Sequence, residues 1–214
     1  PAWDADPGRW SNAIGDLGFP CFVKPAHLGS SVGVSRVTTR GDIAPAMDRA
    51  FHHDELVIVE AFGGPRELEV GVIDGEPPTV SLPGEIVVPG GFYDYFTKYH
   101  SADTELRLPA DVSQAIYDRI VDLAVKVFGI SRAEGFARVD LFYDPSNDAL
   151  VVNEINTIPG MTSSSMFPKV WEASGVSFPE VVQRLLDHAI IRHERKLKLE
   201  AARAAAHDQE TSAT

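Results

Sequence analysis

Two apolar stretches with alternating polar positions, residues 135–143 and 149–156, stand out in the second half of the chain. Alternation of this kind is typical of strands, and the short polar sequence Asp144-Pro145-Ser146-Asn147 between them predicts a turn. Strand side chains alternate between the two faces of a sheet, so Arg138 and Asp140 should share one face, as should Glu154 and Asn156. The pattern therefore predicts a hairpin that gathers these four side chains.

The remaining pattern mixes short strands with amphipathic helices, which indicates an α+β fold. The helix over 111–129 repeats apolar residues with helical period and should end at Gly129, while Asp42 is a candidate helix cap. A hinge is predicted at Gly63–Pro65, the one internal boundary that the sequence supports. Strands are predicted at 22–25, 34–37, 56–59 and 67–73, an extended stretch at 80–88, and helices at 11–17, 42–53, 111–129, 166–174 and from Phe178 onward into a charged tail.

The polar face of the predicted hairpin carries candidate metal chemistry. Asp140 and Glu154 supply carboxylates and Asn156 a carboxamide, and such hard oxygen ligands suit Mg²⁺ or Mn²⁺. A hairpin with a merely solvated polar face is the alternative. The sequence after Asn156, which reaches Gly160 and three serines, offers backbone N–H groups and hydroxyls and favours anion binding.

A glycine- and serine-rich turn follows the first predicted strand, which ends near Lys24. Glycines let a backbone approach phosphate oxygens, and Ser30 and Ser31 add hydroxyl donors. The stretch is not a Walker motif, because Lys24 precedes the glycines. A turn that binds no ligand is the alternative interpretation.

Two further stretches are candidates for nucleotide contacts. Glu60 and Glu67 flank the hinge, where backbone groups could meet adenine and a carboxylate could accept from a ribose; two solvated strand-end glutamates explain the same pattern. Residues 89–100 form an aromatic loop in which Lys98 could reach a terminal phosphate, or which is simply a packed Ω-loop.

Composition narrows the class of protein. The 214 residues are 44% apolar, enough for a core, and the net charge of −12 argues against nucleic acid or an anionic membrane as a partner. Cys21 is the single cysteine, which fits a reducing cytoplasm and predicts a buried structural thiol. The sequence contains no run of about 18 apolar residues and no signal peptide, so a cytoplasmic location is expected.

Taken in order, the motifs closely resemble D-alanine–D-alanine ligases of the ATP-grasp superfamily, from about Phe19 to about Leu186. The stretches that carry the resemblance are Phe22-Val-Lys24-Pro-Ala-His-Leu-Gly-Ser30-Ser31-Val-Gly33, Phe92-Tyr-Asp-Tyr…Lys98-Tyr99, Ala137-Arg138-Val-Asp140 and Asn153-Glu154-Ile-Asn156-Thr-Ile-Pro-Gly160-Met-Thr-Ser. The resemblance implies ATP-dependent joining of two D-alanines through an acyl phosphate, for peptidoglycan synthesis.

The resemblance also implies a role for each candidate residue. Lys24 and Lys98 would contact the ATP phosphates, and Arg138 with the Gly160 N–H would stabilise an oxyanion. Ser30 would hydrogen-bond Tyr99 to close the glycine loop, and Ser165 would bind the second substrate's carboxylate. The other implied sites are two Mg²⁺ or Mn²⁺ ions on Asp140, Glu154 and Asn156, and ATP contacts from Ser31, Glu60, Ala61, Gly63 and Glu67.

The implied architecture is a small ATP-grasp lid over residues 1–66, a larger antiparallel sheet backed by helices over 67–191, and a charged helical tail over 192–214, with ATP between lid and sheet. Family members carry a further N-terminal domain of roughly a hundred residues, which supplies most of a homodimer interface. The chain is therefore expected to be a fragment that retains the metal face and most of the ATP site but is incomplete for catalysis. Alternatives are an ATP- and Mg²⁺-binding module without turnover, or an ATP-grasp ligase for another carboxylate and amine.

Overall fold

The structure, a computed structural model, describes residues 2–87 and 105–212, with side chains up to Ala204. Two sheets with antiparallel pairing and several helices confirm the predicted α+β class. The chain divides into two compact units. The first holds the residues up to Glu67, Phe142–Val151 and the described part of Ile86–Leu106; the second holds Leu68–Glu85, Arg107–Leu141 and the chain from Val152 onward. The predicted lid boundary at residue 66 stays a prediction.

The first unit is built on a three-stranded antiparallel sheet. Strand β1 (Cys21–Pro25) lies between β2 (Ser35–Val37) and β3 (Val57–Ala61). Cys21 and Val23 are fully buried, whereas the alternating residues Phe22 and Lys24 lie on the other face and are half-buried. The predicted buried thiol of Cys21 is thus confirmed, and burial raises its pKa.

Helices α1 (Ala2–Ala5), α2 (Pro7–Asp16) and α3 (Ile43–Phe51) enclose the core of this unit. Helix α2 begins where Asp6 accepts the N–H of Arg9 at 3.0 Å. Asp42 caps a 3₁₀ turn, Arg40–Asp42, by accepting from Thr38 and Thr39, and makes no cap bond to α3 itself. The buried core of the unit comprises Trp3, Ile14, Cys21, Val23, Val37, Ile43, Ala46, Met47 and Ala50.

The second sheet has six strands in the order β7-β6-β4-β8-β9, with β5 paired to β4. The strands are β4 (Arg66–Ile73), β5 (Thr79–Val80), β6 (Gly84–Val87), β7 (Glu105–Arg107), β8 (Phe136–Asp144) and β9 (Ala149–Asn156). The hairpin predicted over 135–156 is confirmed. Within the extended stretch predicted over 80–88, Val80 and Gly84–Val87 lie in strands, and the ladder is interrupted between them at Pro83, which has no N–H to donate; Val88 lies outside the described residues.

Three helices belong to the second unit: α4 (Gln114–Ile130), α5 (Met166–Ala173) and α6 (Phe178–Ser212). Helix α4 buries Ile116, Ile120, Ala124 and Phe128, as its period predicts. It ends beyond the predicted Gly129, since the left-handed residue after the helix is Arg132, with φ 51°. None of the helices in the described ranges is long and apolar enough to cross a membrane.

Helix α5 packs closely against the sheet in this unit. The rings of Phe167 and Phe136 are 5.5 Å apart. A Cβ added at Gly71 would lie 2.5 Å from Nε1 of the buried Trp171, which explains why this strand position has no side chain. The sheet face that carries Phe136 also carries Arg138 and Asp140 further along the strand.

Candidate functional site

In the first unit, the sheet brings together two predicted nucleotide residues. Strands β1 and β3 pair Lys24 with Ile58 and Phe22 with Glu60, so Lys24 and Glu60 are diagonal neighbours on one face. Nζ of Lys24 lies 2.7 Å from Oε1 of Glu60, and their side chains are 25% and 39% exposed. The pair is open to solvent, so its charges can exchange partners at little cost.

The glycine loop after β1 adopts a tight backbone. Ser30 and Ser31 have φ of 55° and 59°, in the left-handed region that non-glycine residues seldom occupy. The N–H of Val34 donates to the Ser31 carbonyl at 3.3 Å. Strain of this kind concentrates at ligand-binding loops, although a turn alone also requires it.

Asp54 holds the start of this loop. The His27 N–H donates to Oδ2 of Asp54 at 2.7 Å, and His27 Nδ1 lies 2.9 Å from the same oxygen. The Leu56 N–H and then the His27 groups lower the pKa of Asp54 to about 2. Local sequence patterns do not predict this contact, because the two residues lie 27 positions apart.

The hinge residues lie between β3 and β4. Ala61 ends β3, and Glu67 lies half-buried near the start of β4. A Cβ at Gly63 would collide with the ring of Phe142, and Gly64, with φ 142°, lies against the backbone of Tyr143. Close packing against β8 is therefore sufficient to require these glycines, whether or not a nucleotide binds.

The second unit contains a buried ion cluster centred on Arg138. Its Nε and Nη2 donate to Oδ1 and Oδ2 of Asp140, each at 2.7 Å, in a two-pronged contact. Asp140 is 2% exposed and Glu69, on the neighbouring strand β4, is 3% exposed. Oε2 of Glu69 lies 3.0 Å from Nε of Arg138, but that N–H is directed at Asp140, so the Glu69 contact is one of charge.

The cluster fixes the charge of the arginine. Burial opposes the charged form of Arg138, but its hydrogen bonds to Asp140 and the charges of Glu69, Asp140 and Glu154 outweigh burial and raise its pKa. The charges of three carboxylates, two buried and one (Glu154) exposed, act on one guanidinium, so negative charge is in excess here. An excess of negative charge on oxygen ligands favours binding a divalent cation.

The predicted metal ligands fit a hard cation in chemistry, although their oxygens already have partners. Asp140 binds Arg138, and Oδ1 of Asn156 accepts the N–H of Ile158 at 3.1 Å. A carboxylate or carboxamide oxygen has two lone pairs, so one accepted hydrogen bond does not by itself prevent metal binding. Within residues 2–87 and 105–212, no three or more His, Cys, Asp or Glu side chains are grouped as metal ligands, so a cation here would also need Asn156, water or phosphate.

Glu69 is the member of this cluster that sequence reasoning missed. A usable signal existed: Arg66-Glu67-Leu68-Glu69 places two acids at alternate positions of an apolar strand, and a buried acid needs a cationic partner. The identity of that partner depends on the pairing of β4 with β8, which single-strand periodicity does not give.

Gly160 and Ser165 also lie together. A Cβ at Gly160 would lie 2.6 Å from Oγ of Ser165, so glycine leaves this hydroxyl accessible from that side. Oγ of Ser165 accepts the Thr162 N–H at 3.2 Å and lies 2.8 Å from the Thr162 hydroxyl. Ser165 directly precedes α5, whose first N–H groups favour an anion. The predicted Lys98 and Tyr99 lie outside the described residues.

Residues 3–187 match the family model described as D-ala D-ala ligase C-terminus, and this range contains every candidate site residue named above. The chain belongs to this ligase family. It is 46% identical over 181 residues to a D-alanine–D-alanine ligase of Geobacillus kaustophilus, covering 85% of the chain and 49% of the relative. A Kineococcus radiotolerans ligase of the same name is 48% identical over 198 residues, covering 89% and 53%.

Solved ligase structures share the fold. The D-alanine–D-alanine ligase from Coxiella burnetii superposes with a TM-score of 0.76 at 35% identity, covering 91% of this chain and 51% of that one. The VanG D-Ala:D-Ser ligase from Enterococcus faecalis gives 0.75 at 34%, covering 85% and 53%. These neighbours confirm the predicted ATP-grasp fold class. The chain spans about half the length of the curated relatives it matches.

Proposed function

We propose that the protein takes part in the ATP-dependent joining of two D-alanines to D-alanyl-D-alanine, the cytoplasmic reaction that supplies peptidoglycan synthesis. One observation carries the proposal: the ligase family match over residues 3–187 includes both the Lys24–Glu60 pair and the Arg138 cluster. The homodimer and the additional N-terminal domain expected from the resemblance belong to the same proposal.

The proposed chemistry has two steps. A carboxylate oxygen of the first D-alanine attacks the γ-phosphorus of ATP, the bond to the bridging oxygen breaks, and ADP leaves. The amine of the second D-alanine attacks the resulting acyl phosphate at carbon, loses a proton, and expels inorganic phosphate as the amide bond forms. Both steps build negative charge on oxygen, so the protein contributes mainly by position and electrostatics.

We assign the first unit to the nucleotide. Lys24 would bind the α- and β-phosphates, exchanging its contact with Glu60 for phosphate oxygens. Ser31 would donate to phosphate from its turn. The hinge backbone at Ala61 and Gly63 would meet adenine, and Glu67 would accept from the ribose. Lys98 would pair with the γ-phosphate as it transfers.

We assign the second unit to the reacting groups. Arg138 would stabilise the oxyanion formed when the amine attacks, together with the Gly160 N–H, and its raised pKa keeps the guanidinium charged throughout. Ser165 would bind the carboxylate of the second D-alanine. Two Mg²⁺ or Mn²⁺ ions, when bound by Asp140, Glu154 and Asn156, would neutralise phosphate charge. A Ser30–Tyr99 hydrogen bond would help to exclude water from the acyl phosphate.

The test is product formation by the chain together with the additional N-terminal domain of the proposal. Purified protein, joined to the N-terminal domain of the Geobacillus kaustophilus relative, is incubated with ATP, Mg²⁺ and D-alanine, and released phosphate and dipeptide are measured by a coupled assay and by mass spectrometry. We expect both products in equal amounts. Arg138→Lys, which keeps the charge but loses the two-pronged contact, should lower the rate by about 10²-fold or more. Glu180→Gln on the exposed surface of α6 is the matched control and should leave the rate unchanged.

Two other outcomes would replace the proposal. Binding of ATP without phosphate release, for any amino acid supplied, would indicate a nucleotide-binding module without turnover. Phosphate release that requires D-serine as well as D-alanine would assign the chain a mixed-substrate reaction, a candidate raised by its similarity to the D-Ala:D-Ser ligase.

A further inference from the structure

Two groups compete for the carboxylate oxygens of Asp140: the guanidinium of Arg138 and the cation of the proposed function. In this structure both oxygens accept from Arg138 at 2.7 Å, yet the proposed function also gives them to a cation. A carboxylate that turns toward a metal weakens its hydrogen bonds to the arginine. Unless another group then holds the guanidinium, a buried Arg138 would lose the position from which it acts.

Glu69 lies where such a group is needed. Its Oε2 is 3.0 Å from Nε of Arg138, within hydrogen-bond distance, although the N–H is directed at Asp140. Glu69 is 3% exposed and sits on β4, next to the strand that carries Arg138. A small rotation of the guanidinium would therefore transfer the N–H from one carboxylate to the other without moving a strand.

We propose that Glu69 is a positioning residue, the second acceptor that keeps Arg138 in place when Asp140 is drawn to a cation. The role of Asp140 toward a cation rests on the proposed function; the contact between Glu69 and Arg138 does not.

The experiment uses Asp140→Asn to imitate an aspartate whose charge is no longer available, so neither metal nor nucleotide is needed. The Nε–H of Arg138 is observed by ¹⁵N NMR and assigned by its loss in Arg138→Lys, and its exchange with water is measured. In Asp140→Asn we expect a distinct, slowly exchanging signal, because Glu69 now accepts the N–H. In Asp140→Asn/Glu69→Gln the exchange should be at least about tenfold faster, since a charged acceptor has been lost.

Two further variants make the test specific. Asp140→Asn/Glu69→Asp keeps the charge but shortens the side chain, and we expect fast exchange again if contact rather than nearby charge matters. If the glutamine double variant fails to fold, Asp140→Asn/Glu69→Asp still tests the contact with Arg138. Asp140→Asn/Glu85→Gln removes a different buried glutamate, whose charge is not among those acting on Arg138, and should leave exchange slow.

Equal exchange rates in Asp140→Asn with and without Glu69 would overturn the proposal. Slow exchange in the Glu69→Asp double variant would overturn it too, by assigning the effect to charge alone. A chain that binds no ATP would contradict the proposed function. The exchange rates are measured without ligand, so they would still test the role of Glu69.

Discussion

Two of the ion-pair regions among the described residues, Lys24–Glu60 and the Arg138 cluster, differ in their access to water. The Lys24–Glu60 pair lies on an open sheet face, with a quarter or more of each side chain exposed. In the Arg138 cluster the arginine and two of the carboxylates that act on it, Asp140 and Glu69, are largely buried, whereas the third, Glu154, is exposed. An exposed pair can release its partners to a ligand at small cost, whereas a buried cluster holds its members in a fixed arrangement. We infer that the first region is suited to binding and the second to precise positioning.

The largest expected effect comes from removing the arginine. Arg138→Met keeps the length of the side chain but leaves buried carboxylates without their cation, so we expect the free energy of unfolding to fall by about 3–5 kcal/mol. Lys24→Met, the matched change in the exposed pair, should lower it by about 1 kcal/mol or less. Urea denaturation measures both. Equal losses in the two variants would contradict the comparison.

A second change tests whether close packing by helix α5 maintains the burial of the sheet face that this helix covers. Gly71→Ala would place a Cβ 2.5 Å from Nε1 of Trp171, and we expect a loss of about 1–3 kcal/mol of stability. Gly129→Ala is the control: its Cβ would meet nothing within 4 Å, and alanine favours a helix. If Gly71→Ala had the same free energy of unfolding as the wild type, helix α5 would be able to move away from the added Cβ at no cost.

A smaller effect should appear in the exposed pair itself. A double-mutant cycle with Lys24→Met and Glu60→Gln should give a coupling free energy of about 0.2–1 kcal/mol. The coupling should decrease in high salt, because exposed charges are screened. A coupling free energy above this range that does not change with salt concentration would mean that the pair is effectively buried.

The smallest effect concerns pH and the loop contact of Asp54. The folded-state pKa of Asp54 is about 2, below its unfolded value of about 3.9, so its stabilisation is complete above pH 4 and is lost as pH falls toward 2. Unfolding measured at intervals between pH 5 and 2 should show this decline in the wild type and a shallower one in Asp54→Asn. If the stability of the wild type and of Asp54→Asn fell in parallel with pH, Asp54 would not be the source of this decline.

Local sequence patterns predicted much of this fold because each depends on near neighbours. The hairpin over 135–156 and the buried stripe of α4 follow from periods of two and of 3.6 residues. The same patterns placed Arg138 and Asp140 on one face, where the structure joins them directly. Helix ends were less predictable: the α4 C-terminus depends on a left-handed Arg132 that no glycine marks.

Contacts between distant strands could not be predicted in this way. The pairing of Lys24 with Glu60 needs the register of β1 and β3, and the contact of Glu69 with Arg138 needs β4 beside β8. Similarly, Gly63 resembled a flexible hinge in the sequence, but the close approach of the Phe142 ring is sufficient to explain why this position is glycine. Tertiary neighbours, rather than local propensity, decide such positions.

The most direct test of the central claim is the thermal stability of the chain with and without Mg²⁺-ATP, beside the variant Asp140→Asn/Glu154→Gln. A ligand that binds only the folded state adds about 2.7 kcal/mol at a hundred times its Kd. We predict an upward shift in Tm that requires both Mg²⁺ and ATP and that the double variant loses. An equal shift in the double variant, or no shift in the folded wild type, would contradict the assignment of the cluster to Mg²⁺-ATP.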